Sequence, residues 1–320
     1  MADGYDAFVE DAVRRFDACP MFLCCVGMPK AGTTWLARTL ENNADLAYSP
    51  PEKEVDYWNN THGGAPSVRP RMSRRRFRAA RTALNEAVKG GARPAKLERL
   101  RRRVYRARTW FDAFHGDQVN HRAYKAFLGS GLKDHNVVCD ISPNYADLSP
   151  EVIGEITKVH HNTHVFVMLR DPMAWRWSYA RHTTKGEKVL ASRGLPADWT
   201  AYDELRAYHK DPSRGRYRIE NSLTLLDGLE RHVPDGRGQV LFFESLFHED
   251  SVRELGEYLN VEIRDVNFDV KHNKGVDLKL PPRSTLNAGY RQLAPIYNAL
   301  GERLKGALPS AWGSDDAFAF

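Results

Sequence analysis

The chain has 320 residues, of which 42% are hydrophobic, 11% aromatic and 28% charged. These are ordinary globular values, and they exclude wholesale disorder, collagen and coiled coil. The length suits one large domain or two small ones and can bury a core without disulfides or metals. The formal net charge is +6, yet residues 69–108 carry fourteen Arg and two Lys against Glu86 and Glu98, a net of +14 that leaves −8 for the rest. That segment explains much of the low mean hydropathy of −0.56.

No apolar run approaches the roughly 20 residues of a membrane span. The opening MADGYDAFVEDAVRRF mixes acids and bases and lacks the basic-then-apolar layout of a secretory signal. A soluble, cytoplasmic protein is expected. Cys19, Cys24, Cys25 and Cys139 form no Cys-x-x-Cys or Cys/His cluster. The pattern argues against a disulfide framework or a zinc site and for buried free thiols in a reducing compartment.

In chain order, residues 1–18 read as an amphipathic helix with Phe8, Val9, Ala12, Val13 and Phe16 on one face, ended by Pro20. Residues 21–28 form a short continuous apolar run that suits a buried parallel strand. A helix is expected from Thr33 to about Asn42. Residues 66–128 look like an Arg-rich helical insertion with a break at 90–94. Further strands are expected at 136–141, 164–170 and 239–245, and helices at 150–160, from Pro172, and at 217–232, 250–259 and 288–305. Residues 183–215 read as a polar loop with short helices, and His160, His161 and His164 as surface residues around a strand start. Alternating strands and helices predict one α/β domain over residues 1–320, a sandwich of three layers around a central parallel sheet.

The most informative stretch is Gly27-Met-Pro-Lys-Ala-Gly-Thr-Thr-Trp35, where a strand meets a helix start. Backbone N–H groups are unpaired there and the helix dipole is positive, so an anion is favoured. Gly27 and Gly32 keep the glycine spacing of a Walker A loop, but Thr33 stands where that loop has Lys, and a lysine appears earlier as Lys30. This argues against a nucleoside-triphosphate kinase. A second anion-binding candidate is Leu169-Arg170-Asp171-Pro172 with Ser178. Asp171 suits an N-cap and Pro172 the first helical position, which leaves Arg170 at the carboxyl end of a parallel strand. Arg170 and Ser178 could share one phosphate, or Arg170 could be an ordinary ion-pair partner. In Pro51-Glu52-Lys53-Glu54-Val55-Asp56-Tyr57-Trp58, a carboxylate near the loop could accept a proton from an attacking group, or the segment could be a solvated charge cluster.

Pro29-Lys30-Ala31-Gly32-Thr33-Thr34-Trp35 resembles the 5′-phosphosulfate-binding loop of sulfotransferases that use 3′-phosphoadenylyl sulfate (PAPS). The spacing Arg170…Arg176…Ser178 resembles the 3′-phosphate-binding motif of the same enzymes. The segment from Lys53 to Trp58 resembles the Lys-Glu-x-His element of the heparan sulfate sulfotransferase branch, with Asp56 where that branch often has His. Cys139-Asp140-Ile141-Ser142-Pro143-Asn144-Tyr145 resembles another element of that branch, with Ile141 in place of a Lys that holds an anionic sugar. Lys271-His272-Asn273-Lys274-Gly275 resembles the loop that closes over the nucleotide.

The resemblance covers roughly residues 21–58 and 136–305 and implies a transfer of a sulfuryl group from PAPS, leaving adenosine 3′,5′-bisphosphate (PAP), without a metal. It implies that Lys30, Ala31, Gly32, Thr33, Thr34 and Trp35 bind the 5′-phosphosulfate, that Arg170 and Ser178 read the 3′-phosphate, and that Lys274 and Gly275 close over it. It makes Glu54 the general base and sets Lys53, Asp56 and Asp140 on the acceptor side, where Asp140 could orient the acceptor or simply cap a turn. The expected acceptor is a saccharide or small alcohol, anionic ones included. Two other readings stay open: a kinase with an altered loop, and a non-catalytic module that binds polyanions through the Arg-rich insertion. Nucleic acid is disfavoured, because no recognised binding motif accompanies the charge.

Overall fold

Residues 21–25, 137–141 and 163–169 are buried at every position. Strands that alternate between two faces are buried throughout only if both faces are covered, which is the signature of a parallel sheet between helical layers. The computed structural model describes residues 2–42, 47–48, 53–116, 119–264, 266, 268 and 280–318. The chain runs α1 (Ala2–Ala18), β1 (Met21–Cys25), α2 (Thr33–Glu41), β2 (Ala47–Tyr48), α3 (Tyr57–Thr61), α4 (Arg69–Lys89), α5 (Pro94–His115), α6 (Arg122–Gly129) and β3 (Val137–Ile141). It continues through α7 (Pro150–Thr157), β4 (Thr163–Leu169), α8 (Pro172–Thr183), α9 (Glu187–Ser192), α10 (Ala201–Lys210), α11 (Asn221–His232), β5 (Gly238–Phe242), α12 (Glu249–Leu259) and α13 (Arg283–Arg303).

The sheet order is β2-β3-β1-β4-β5, and every pairing is parallel. β1 is central, with Leu23 level with Cys139 on one side and His164 on the other. The chain thus leaves the carboxyl end of β1 where later strands lie to either side, the place where open α/β sheets bind ligands. The three-layer architecture around a parallel sheet is the one expected from the sequence. The four cysteines are buried free thiols.

Residues 183–215 hold the expected short helices, α9 and α10, the latter begun by a capping box in which Thr200 accepts from the Asp203 N–H and Asp203 accepts from the Thr200 N–H. Two local features depart from the sequence reading. The two-residue strand β2 lies outside the strands expected. His160 and His164 are buried. Burial lowers both pKa values, and His164 Nδ1 lies in hydrogen-bonding contact with the Tyr258 hydroxyl.

The Arg-rich region divides in two. α4 packs on α5 through Ala80, Leu84 and Val104, with Phe77, Leu97 and Leu100 around them. The last turns of α5 and the inner face of α6 instead feed the main core with Trp110, Ala113, Tyr124 and Phe127.

Candidate active site at the carboxyl ends of the central strands

The loop after β1 keeps pairing with β4 before it turns. Met28 N–H donates to the Met168 carbonyl at 2.6 Å, and Met168 N–H donates to the Gly27 carbonyl at 2.6 Å. The loop then closes on Gly32, the N-cap of α2, at φ +92°. A Cβ there would lie 2.6 Å from Leu246 Cδ1 and 3.1 Å from Phe243 Cδ2, so both backbone and space demand glycine. The first intrahelical bond runs from Leu36 N–H to the Gly32 carbonyl. The N–H groups ahead of it crown a helix N-terminus, a ready anion site. Trp175 Nε1 donates to the Pro29 carbonyl at 2.6 Å and braces the loop from α8.

Lys30 sits in a strongly positive neighbourhood. Its pKa falls from 10.5 to about 8, first through burial and then through repulsion from Arg170, Arg181, Lys185 and Lys53. Arg170 extends from the end of β4, donates to the Lys30 carbonyl at 3.3 Å and lies 4.0 Å over the Phe243 ring. Its Nε is buried with no hydrogen-bond partner among the described residues, and burial lowers its pKa to about 10. A converging set of desolvated cations with a spare buried donor suits a phosphate or sulfate group. Asp171 caps α8 by accepting from Ala174 N–H at 2.7 Å, and Tyr297 and Gly313 occupy its other oxygen.

Ser178 lies half-buried on α8, one helical turn before Arg181 and His182. The charge of Lys30 reaches His182 and helps burial lower its pKa. Arg176, which the sequence motif groups with Arg170 and Ser178, is buried and donates to Gln292 on α13 at 2.7 Å.

The opposite wall is the segment from Lys53 to Trp58. Lys53 Nζ lies 3.4 Å from both Thr33 Oγ1 and Glu54 Oε1, so a single side chain spans the loop and the candidate base. Arg69, the first residue of α4, holds Glu54 Oε2 at 2.8 Å and reaches Asp56 Oδ2 at 3.5 Å. Asp56 is only 1% exposed and also accepts from Asn144 Nδ2 at 2.8 Å. Its pKa is raised by burial, against the pull of Asn144 and Arg69.

Behind this wall lies Asp140, completely buried at the end of β3. It accepts from the hydroxyls of Ser142 at 2.6 Å, Tyr124 at 2.7 Å and Tyr145 at 2.8 Å, while burial raises its pKa to about 6. Ser142 Oγ in turn accepts from the N–H groups of Val55 at 2.9 Å and Asp56 at 3.2 Å, and Tyr145 OH accepts from Tyr57 N–H at 3.0 Å. The buried carboxylate therefore fixes the backbone that carries Glu54.

The structure brings Lys30, Gly32, Thr33, Lys53, Glu54 and Arg170 to one place. Ala31 and Trp35 are buried as loop support rather than presented at the surface. Lys274 and Gly275 lie outside the described residues. Sequence reasoning missed Arg69, Arg181 and Lys185, and gave Ser142 no role. These residues join the site only through tertiary contacts. Only the α4 start signalled Arg69, with Pro70 behind it. Among the described residues no cluster of three or more His, Cys, Asp or Glu could hold a metal ion.

The profile of the sulfotransferase family matches residues 21–263, and the chain belongs to that family. Among solved structures, a sulfotransferase from Alicyclobacillus acidocaldarius is 17% identical with a TM-score of 0.51, covering 92% of this chain and 98% of its own. The sulfotransferase domain of the Synechococcus PCC 7002 olefin synthase is 15% identical with a TM-score of 0.46, covering 88% and 95%. At 17% identity the likeness to the Alicyclobacillus enzyme speaks to the fold alone. No protein of curated function matches the sequence significantly.

Proposed function

We propose that the protein transfers a sulfuryl group from PAPS to a hydroxyl or amine, with Glu54 as general base. One observation carries this reading: Lys53 bridges Thr33 on the loop and Glu54 across from it, at 3.4 Å each. The anion-binding loop and a carboxylate thus stand within one side chain of each other. Donor, when bound, supplies an activated sulfuryl group and a phosphate leaving group. Lys30, the α2 N-terminus and Thr33 would hold its 5′ end and stabilise the charge that grows on the departing oxygen. Arg170, whose buried Nε has no partner among the described residues, would take the 3′-phosphate together with Ser178. Glu54 would accept the proton of the attacking acceptor, while Lys53 and Arg69 hold its carboxylate in place.

Asp56 and Asp140 take a different part from direct acceptor contact in this reading. Both are buried, and they orient the base segment. Lys53, half-buried between the two walls, can meet the acceptor. The acceptor class is a saccharide or small alcohol.

The deciding experiment is calorimetric binding of adenosine 3′,5′-bisphosphate against ATP with magnesium, followed by transfer from labelled PAPS to a panel of sugars, alcohols and amines. Micromolar binding of the bisphosphate and label transfer support the reading. Preference for Mg-ATP, or binding of neither nucleotide, overturns it.

A further inference from the structure

The Arg-rich hairpin is unused by the reaction. On α4 the residues buried against α5 are Ala80 and Leu84, with Phe77 half-buried beside them. The opposite face presents Val68, Arg71, Arg75, Arg78 and Thr82 at helical spacing, with Arg74 on its flank, all exposed. Ion pairs in the hairpin engage Arg69, Arg101, Arg102 and Arg108. Arg71, Arg74, Arg75 and Arg78 have no carboxylate within ion-pair distance among the described residues. The rest of the chain is net negative, so the molecule carries a lopsided field with this hairpin as its positive pole.

A solvated charged face explains the arginines but not their neighbours. Val68 is 50% exposed and Met72 38%, and both border the arginine stripe at the start of α4. Among the described residues these are two of the five exposed large hydrophobic side chains. A soluble polyanion gains little from them. A lipid surface uses both kinds: anionic headgroups attract the arginines, and the boundary with the acyl chains takes the apolar side chains. Long arginine stems can lie along that boundary with their charged ends at the headgroups.

From this combination we propose that the outward face of α4 docks on an anionic lipid bilayer. The occupant is a peripheral one, since no helix among the described residues is long and apolar enough to cross a membrane. Because α4 begins at Arg69, which holds Glu54, docking would set the candidate site beside the lipid surface.

The test uses the full-length protein and needs no turnover, so it stands or fails apart from the transfer reading. Co-sedimentation with phosphatidylcholine vesicles is compared with vesicles that also contain phosphatidylglycerol. The expected result is binding only to the anionic vesicles, weakened by salt. R71E/R75E/R78E should weaken it by about tenfold or more, the scale of losing several basic contacts at a charged surface. V68S/M72S should weaken vesicle binding several-fold while elution from a heparin column stays unchanged. All five side chains are exposed, and thermal melts confirm that the variants fold; if the triple variant does not, R75E alone with V68S/M72S decides. Absence of binding to anionic vesicles overturns the proposal, as does wild-type binding by the charge-reversed protein. Vesicle binding indifferent to V68S/M72S also overturns it, in favour of a soluble polyanion such as an acidic polysaccharide or a nucleic acid.

Discussion

The two walls of the candidate site are built in opposite ways. The wall at residues 27–35 is backbone work: strand pairing extended past β1, a glycine at φ +92°, and a helix end. The charges that act most strongly on Lys30 there are positive. The wall at residues 53–58 is side-chain work, held from behind by Ser142, Tyr145 and Asn144. Its charges are matched, Glu54 by Lys53 and Arg69, and Asp56 by Arg69 and Asn144. On the proposed reading the cations of the first wall take the donor's anionic groups, and the matched charges of the second hold the base in one orientation, so one wall would bind and the other aim.

If that contrast is right, variants on the two walls should fail differently. The largest effect is expected for Glu54→Gln: transfer falls by about 10²–10⁴-fold, the usual scale of a general base, while bisphosphate affinity by calorimetry stays near wild type. Retained transfer would move the base role elsewhere, with His182 first in line. Lys30→Ala should lower turnover by about 10²–10³-fold, the scale of losing one oxyanion-type donor, and should weaken the bisphosphate as well. Near-normal turnover would sink that assignment. Arg170→Ala should weaken adenosine 3′,5′-bisphosphate by about tenfold more than adenosine 5′-phosphate, the scale of one charge-assisted hydrogen bond. Equal losses for the two nucleotides would remove the 3′-phosphate contact.

Ser142→Ala sharpens the comparison from behind the aiming wall. It strips the acceptor from two buried N–H groups and a donor from Asp140. A cost of about 1–3 kcal/mol in denaturant unfolding is expected for groups left unsatisfied. Turnover should drop several-fold with donor affinity unchanged. A loss of donor affinity instead would mean that Ser142 serves the binding wall.

The same contrast accounts for what was legible in the sequence. The first wall is one contiguous stretch at a strand–helix junction, so the strand, loop and helix start around residues 29–35 could be read directly. So could the central strands, whose apolar runs are uninterrupted. The aiming wall assembles from β3, the segment after β2, and α4, so the parts played by Arg69 and Ser142 are set by tertiary contacts that no local pattern encodes. Arg176 fails in the reverse sense. It sits two residues from Ser178, but helical rotation turns it into α13.

The smallest predicted effect probes the unmatched charge itself. Lys30 titrates at about 8 in the folded chain against an ordinary 10.5. Between those values the unfolded chain holds a proton that the folded chain has lost, so stability contributed at this position rises with pH across that window. An anionic ligand acts in the other direction, because it favours the charged amine. Bisphosphate affinity should therefore fall by about threefold between roughly pH 7.5 and 8.5, as expected for one required proton. Lys30→Met should flatten this dependence. It should also raise the melting temperature of the ligand-free protein near pH 7, because it removes a half-buried charge surrounded by like charges. A flat wild-type profile, or a variant less stable than wild type at neutral pH, would mean that the cations around Lys30 are already compensated within the chain, and the distinction between the two walls would not hold.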